Sequence, residues 1–269
     1  YQSTAGAPGN CIFGAGSSID QAQYDDFFVS PIAANNLAEP AIEIQEWAGD
    51  TMTHVLAKEE FVTSADDGTA TEAAPEFGYY TLNYFRKIGN TAGGSWTGPV
   101  CIDTVNNISN ANGAHNGSIT ASRVSPKVAV AYVHWKVPSP FTSGTNRRYD
   151  NDVMYRVSDS VGLTWGPKTN LTNYSRTLAS FTSFLAVTAL YDHEGFLHIV
   201  WDAGATVPNA YTNSDYFWGD FSTNIFHWSN RTNEIAKAHN AQWGIDLNTQ
   251  VCGFGSPGTG YAGFYTMSE

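Results

Sequence analysis

The reading of the fold turns on SDSVGLTWGP, Ser158 to Pro167. Ser158, Asp159, Ser160 and Gly162 crowd ahead of Trp165, a composition suited to a tight turn that delivers a large apolar side chain straight into a strand. Just upstream, NDVMYRV from Asn151 is rich in β-formers, so the segment reads as strand, turn, tryptophan. If the same device recurs elsewhere, the chain is assembled from β-units.

It does recur. GYYTLNYFRKI from Gly78 leads into GNTAGGSWTGP with Trp96, and TNIFHW from Thr223 leads into SNRTNEIAKAHNAQWGI with Trp243. Each of these runs is preceded by a long polar stretch and, before that, by a hairpin pattern. The hairpins are AIEIQEWAGDTMTHVLA turning at Gly49-Asp50, SITASRVSPKVAVAYVHW turning at Ser125-Pro126, and LAVTALYDHEGFLHIVW turning at Asp192 to Gly195. The tryptophans fall roughly seventy residues apart, above the usual range for propeller blades but within reach once long loops are allowed. Two hairpin strands, a third run and a fourth begun by the tryptophan make a four-stranded unit. In a propeller blade such a unit buries both faces against its neighbours.

Composition agrees with an all-β chain. Of 269 residues, 42% are hydrophobic and 14% aromatic, enough for a core, while 14% are charged and 25 are glycine, which favours turns over exposed helices. A net charge of -12 repels phosphate backbones and anionic membranes, so nucleic acid is not an expected partner. No apolar run is long enough to span a bilayer. Cys11, Cys101 and Cys252 lie far apart without CxxC spacing, which argues against a zinc site and leaves their pairing open.

SDSVGLTW resembles the Asp-box of the sialidase-like (BNR) β-propeller superfamily. Ser158, Gly162, Thr164 and Trp165 match that motif, whereas Ser160 stands where the family has Asp and Asp159 sits one place early. The copy at Gly89 to Trp96 keeps Gly93 and Trp96, and the third, from Ser229, has an insertion before Trp243. The resemblance implies that the motif is architectural, the turn between the third and fourth strands of a blade. The expected fold is therefore an all-β propeller of four-stranded antiparallel blades. Blades are expected over 40–105, 106–177 and 178–248, with 249–269 opening a further one and 1–39 a linker or part of a preceding blade. Three blades and a part do not close a ring, so the chain is expected to be a portion of a longer protein or of an assembly.

Strand order then fixes where ligands are met. The links between second and third strands, Glu59 to Gly78, Lys136 to Asp152 and Asp202 to Phe221, are long and leave from one end, as a recognition surface requires. The resemblance places sialidase sites at that same end, away from the Asp-boxes. Tyr211, Tyr216, Phe217 and Trp218 can stack on sugar rings, and Arg147 and Arg148, beside Tyr149, can pair with a sialate or uronate carboxylate; the alternative is that the aromatics pack each loop on its own blade and the arginines meet Asp150 and Asp152. Asp66, Asp67, Asp150 and Asp152 are hard-oxygen groups that could ligate Ca²⁺, but EF-hand spacing is absent and they read instead as solvated loop carboxylates, so no cofactor is expected.

Catalytic signatures are missing. The resemblance implies an arginine triad, a Tyr/Glu pair and an Asp acid, but the chain has few arginines and no early Arg-Ile-Pro, so no catalytic residue carries over. GFGSPG, from Gly253, matches GxGxxG literally but contains Pro and opens no helix. His134 and His198, on second strands, read as core or rim histidines. Sequons at Asn107, Asn116, Asn170, Asn173 and Asn230 fit an extracellular or cell-surface setting. The expected function is a non-catalytic scaffold or carbohydrate/protein-binding module of a larger secreted or surface protein. The alternative is part of a sialidase-like glycoside hydrolase or polysaccharide lyase.

Overall fold

The structure, a computed structural model, describes residues 12–15, 26–29, 36–60, 78–89, 96–108, 117–135, 151–175, 180–206 and 218–241. Every regular element among them is a strand. β1 (Ile12–Ala15) and β2 (Asp26–Val29) pair antiparallel. The first four-stranded sheet holds β3 (Asn36–Trp47), β4 (Asp50–Glu60), β5 (Gly78–Ile88) and β6 (Trp96–Ile108). The second holds β7 (Gly117–Ala121), β8 (Val128–Trp135), β9 (Asn151–Ser158) and β10 (Thr169–Asn170). The third holds β11 (Ser180–Tyr191), β12 (Leu197–Thr206), β13 (Trp218–Ser229) and β14 (Glu234–Ala241). In all three the strands lie side by side in chain order and antiparallel, as the repeat predicts.

The hairpins form where turn residues demand them. Trp47 pairs with Asp50, so Ala48 and Gly49 make a two-residue turn with φ of 56° and 90°, the doubly positive geometry that matches strand twist. Between β11 and β12, Asp192 accepts the amides of Glu194 and Phe196 and closes the turn at Gly195.

β8 shows why the sheets stack. VAVAYVHW is apolar almost throughout because both of its faces are buried. Val128, Val130 and Tyr132 join Leu56, Leu82, Tyr84 and Ile102 of the first sheet. Ala129, Ala131 and Val133 join Ile199, Trp201, Phe226 and Trp228 of the third. Small alanines on one sheet face the bulky rings of the next, which lets the sheets interdigitate. The first strands also follow one another: β7 packs on β3 and β4 on one side and on β11 on the other. Ser118 and Thr120 of β7 accept the amides of Ala189 and Tyr191 of β11 at 3.0 and 3.2 Å.

The turn at Ser158 to Gly162 follows the sequence pattern in part. The Ser158 hydroxyl accepts the amides of Ser160 and Gly162 at 3.2 and 2.9 Å, and the Ser160 hydroxyl accepts that of Thr164 at 3.0 Å. Asp159 is exposed. Serine oxygens, not a carboxylate, thus bind the amides of this turn. Trp165 is half-buried rather than a core residue, its ring edge-on to Tyr84 with centroids 5.0 Å apart. The third copy departs further. β13 turns directly at Asn230 to Asn233 into β14, so the residues after Ser229 form a short turn and a strand, and Trp243 lies outside the described residues. The physical reason is local: Asn233 takes a φ of 56° and its amide bonds the Ser229 carbonyl at 2.8 Å, while the Asn230 side chain accepts the Leu197 amide.

Candidate functional site

β4, β8 and β12 all run toward one end of their sheets, and β5, β9 and β13 return from it. The connecting residues 61–77, 136–150 and 207–217 lie outside the described residues. Arg147, Arg148, Tyr149, Tyr211, Tyr216 and Phe217 fall within them. Trp218 is the first residue of β13, with its backbone paired to Thr206. The described residues therefore show the stems that carry these side chains, not the side chains gathered together.

The stems are anchored by buried polar groups. At the start of β9, the Asn151 amide donates to Thr182 Oγ1 at 3.1 Å and its side chain donates to the Ser183 carbonyl at 3.2 Å, tying the return of the arginine-bearing link to the third sheet. Asp152, 2% exposed, accepts from Asn170 Nδ2, Thr172 Oγ1 and the Tyr174 amide at 2.9, 2.9 and 2.8 Å. In the third sheet, Asp202 accepts the Ala186 amide at 2.9 Å beside the register shift between Ser183 and Val187.

Asp152 is a buried strand residue, not the solvated loop carboxylate expected from the sequence, and it is no better suited to Ca²⁺. Its oxygens are held by three donors from one segment, which fixes 170–174 against the sheet and leaves the carboxylate aimed at protein. Asp66, Asp67 and Asp150 lie outside the described residues, and among the described residues no group of three or more His, Cys, Asp or Glu is arranged to hold a metal.

A second cluster joins the first and second sheets. Asp103 on β6 accepts the Tyr132 hydroxyl at 2.9 Å and the Lys168 ammonium at 3.0 Å, with His134 Nε2 at 3.4 Å. Burial, reinforced by the Asp103 charge, pushes the Tyr132 phenol well above its ordinary pKa. Its hydroxyl therefore stays protonated and donates a hydrogen bond across the sheet junction. His134, read from sequence as a core or rim histidine, is buried here.

A third network was not legible in the sequence. Gln45 Nε2 donates to the carbonyls of Ser122 and Ser125 at 2.8 and 3.0 Å, so its Oε1 faces His54 Nε2 at 3.2 Å and accepts from it. That fixes the tautomer, and the Tyr84 hydroxyl donates to His54 Nδ1 at 2.6 Å. Burial, aided by the Arg86 charge, holds His54 down at about 4. Gln45 and His54 are each one polar residue among several on β3 and β4, so nothing local set them apart.

No protein-family model and no curated protein matches the chain. Among solved structures, a Hadza microbial sialidase (Hz136) is matched at 10% identity and a TM-score of 0.35, over 77% of this chain and 38% of that one. Trypanosoma rangeli sialidase is matched at 14% identity and a TM-score of 0.36, over 88% and 36%. An oligogalacturonate lyase in complex with manganese is matched at 12% identity and a TM-score of 0.33, over 81% and 50%. The chain spans little more than a third of the length of the two sialidases.

Proposed function

We infer that the chain is a run of three consecutive blades of a sialidase-like propeller, part of a larger secreted or cell-surface protein, and that it binds a ligand without catalysing a reaction. The observation that carries this reading is the succession of first strands, β3 to β7 to β11, each sheet stacked on the next through its own first strand. Radial arrays are built that way, with first strands toward the axis. The serine-lined turn before Trp165 sits between the third and fourth strands of its sheet, where the Asp-box resemblance expects it.

The ligand surface is the end from which the three long links leave. Arg147 and Arg148 supply a charge pair for a carboxylate, and Tyr149, Tyr211, Tyr216 and Trp218 supply stacking rings, so an acidic glycan bearing sialate or uronate is the ligand chemistry that fits. A protein partner at the same end is the other occupant this surface serves. Aromatic and arginine side chains are also what binding hot spots favour.

The test is an array of acidic and neutral glycans probed with the parent chain and with an Arg147→Ala, Trp218→Ala double variant. Selective binding of acidic glycans by the parent, weakened at least about tenfold in the variant, is the expected result. Equal binding by both proteins, or release of sugar from an acidic oligosaccharide by the parent, overturns the reading.

A further inference from the structure

Three titratable groups stand in a row on the face of the third sheet turned away from the second. Ile199, Phe226 and Trp228 point into the core shared with the second sheet, so the alternating His198 on β12 and His227 on β13 point to the other side. His198 Nε2 lies 3.1 Å from Asp192 Oδ2, and His198 Nδ1 lies 2.9 Å from His227 Nε2. The ring planes are within 18° of each other and the centroids are 5.1 Å apart. So short a contact between nitrogens with centroids that far apart means that the rings meet edge to edge, in an in-line hydrogen bond.

The proton positions follow. An ionised carboxylate only accepts, so His198 donates Nε2–H to Asp192 and keeps a lone pair on Nδ1. His227 then donates Nε2–H to that lone pair, leaving its own Nδ1 as the open acceptor at the end of the chain. On the strands either side, Leu190 of β11 pairs with His198 and Ala236 of β14 with His227, while Glu234 of β14, paired with Ser229 in the row of His198, adds a carboxylate to the same face. Of the charges nearby, Glu194 and Arg231, from the two adjacent turns, neutralise each other at 2.6 Å, and His193 is exposed in the first turn. Lys237 lies on the opposite face, over the rings of Phe181 and Phe226.

We propose that Asp192, His198 and His227 act as one two-proton unit whose own charge passes from negative through neutral to positive as pH falls, and whose imidazole-to-imidazole bond survives the first proton but not the second. The first proton enters at His227 Nδ1. The central proton can then pass from His227 Nε2 to His198 Nδ1, which brings the positive charge beside Asp192 and leaves the imidazole-to-imidazole bond intact. The second proton destroys that bond, because His198 Nδ1–H and His227 Nε2–H then face each other as two donors. Partial burial and the neighbouring His198 charge, which hold His227 below its ordinary pKa, act in the same direction.

Titration of the imidazole C–H resonances of the intact chain tests this, alongside His227→Gln, which keeps a polar side chain on β13 but binds no proton. The parent is expected to take up its two protons in coupled steps separated by more than about one pH unit. In His227→Gln, His198 is expected to follow a single-site curve with a shifted midpoint, and in Asp192→Asn the upper step moves down. Two independent single-site curves in the parent, which need no variant, overturn the proposal, as does a His198 curve unchanged by His227→Gln in a protein whose amide spectrum shows it folded.

Discussion

The Tyr84 hydroxyl fills the space that a side chain at position 162 needs: a β-carbon built on Gly162 stands 1.8 Å from it. Tyr84 belongs to the first sheet and Gly162 to the strand-connecting turn of the second, so the turn's glycine is demanded by a neighbour as well as by its own φ of 82°. The same hydroxyl donates to His54 Nδ1, which leaves Tyr84 little freedom to move aside.

Gly162→Ala is therefore expected to destabilise by about 2–4 kcal/mol, backbone strain adding to displacement of Tyr84. Gly49→Ala is the control. Gly49 has a φ of 90° but nothing within 4 Å of its added β-carbon, so that variant loses only about 1 kcal/mol. Denaturant unfolding of both measures the difference, and equal losses contradict the Tyr84 contact.

Trp165→Ala is expected to lose about 1–3 kcal/mol, less than a fully buried tryptophan, because the ring is half-buried and packs edge-on to Tyr84. Trp165→Phe recovers most of that. A loss below a few tenths of a kcal/mol in Trp165→Ala shows that the ring does not support the sheet junction.

Acid weakens the junction of the first two sheets through His54. Its folded pKa, about 4, lies below the value of 6.5 for the unfolded chain, so below pH 6.5 the unfolded state binds the proton more readily. Stability from this group is complete above pH 6.5 and is lost progressively as pH falls toward 4, by on the order of 3 kcal/mol. Unfolding free energies measured across that window should decline, and His54→Gln, with no proton to bind, should flatten this part of the decline. An equal slope in the variant rules out His54 as the source.

Asp152→Ala strands three donors, from Asn170, Thr172 and Tyr174, and is expected to cost about 2–4 kcal/mol. Hydrogen exchange should rise first at the amides of Tyr174 and Leu171, because the 170–174 segment is held through this carboxylate and through the bond from the Leu171 amide to the Val153 carbonyl. Exchange unchanged in that segment contradicts the anchoring role.

The sequence by itself determined the all-β class and the four-stranded, antiparallel, chain-order units, because strand alternation and turn chemistry are local properties. NDVMYRV, the serines of SDSVG and the Asp192 to Gly195 hairpin carry their geometry within a few residues. Only the tertiary structure decided that Asp152 is an anchor closed by donors, that Trp165 is half-buried, and that Gln45, His54 and Tyr84 form one hydrogen-bonded line. Those facts depend on which residue of a neighbouring sheet arrives opposite, across separations such as Gln45 to Ser122 or Tyr84 to Gly162, and no local period encodes them. The third tryptophan shows the same limit from the other side. Turn-forming asparagines close β13 onto β14 at once, so a motif stretched to reach Trp243 gave way to the shorter turn that the backbone satisfies locally.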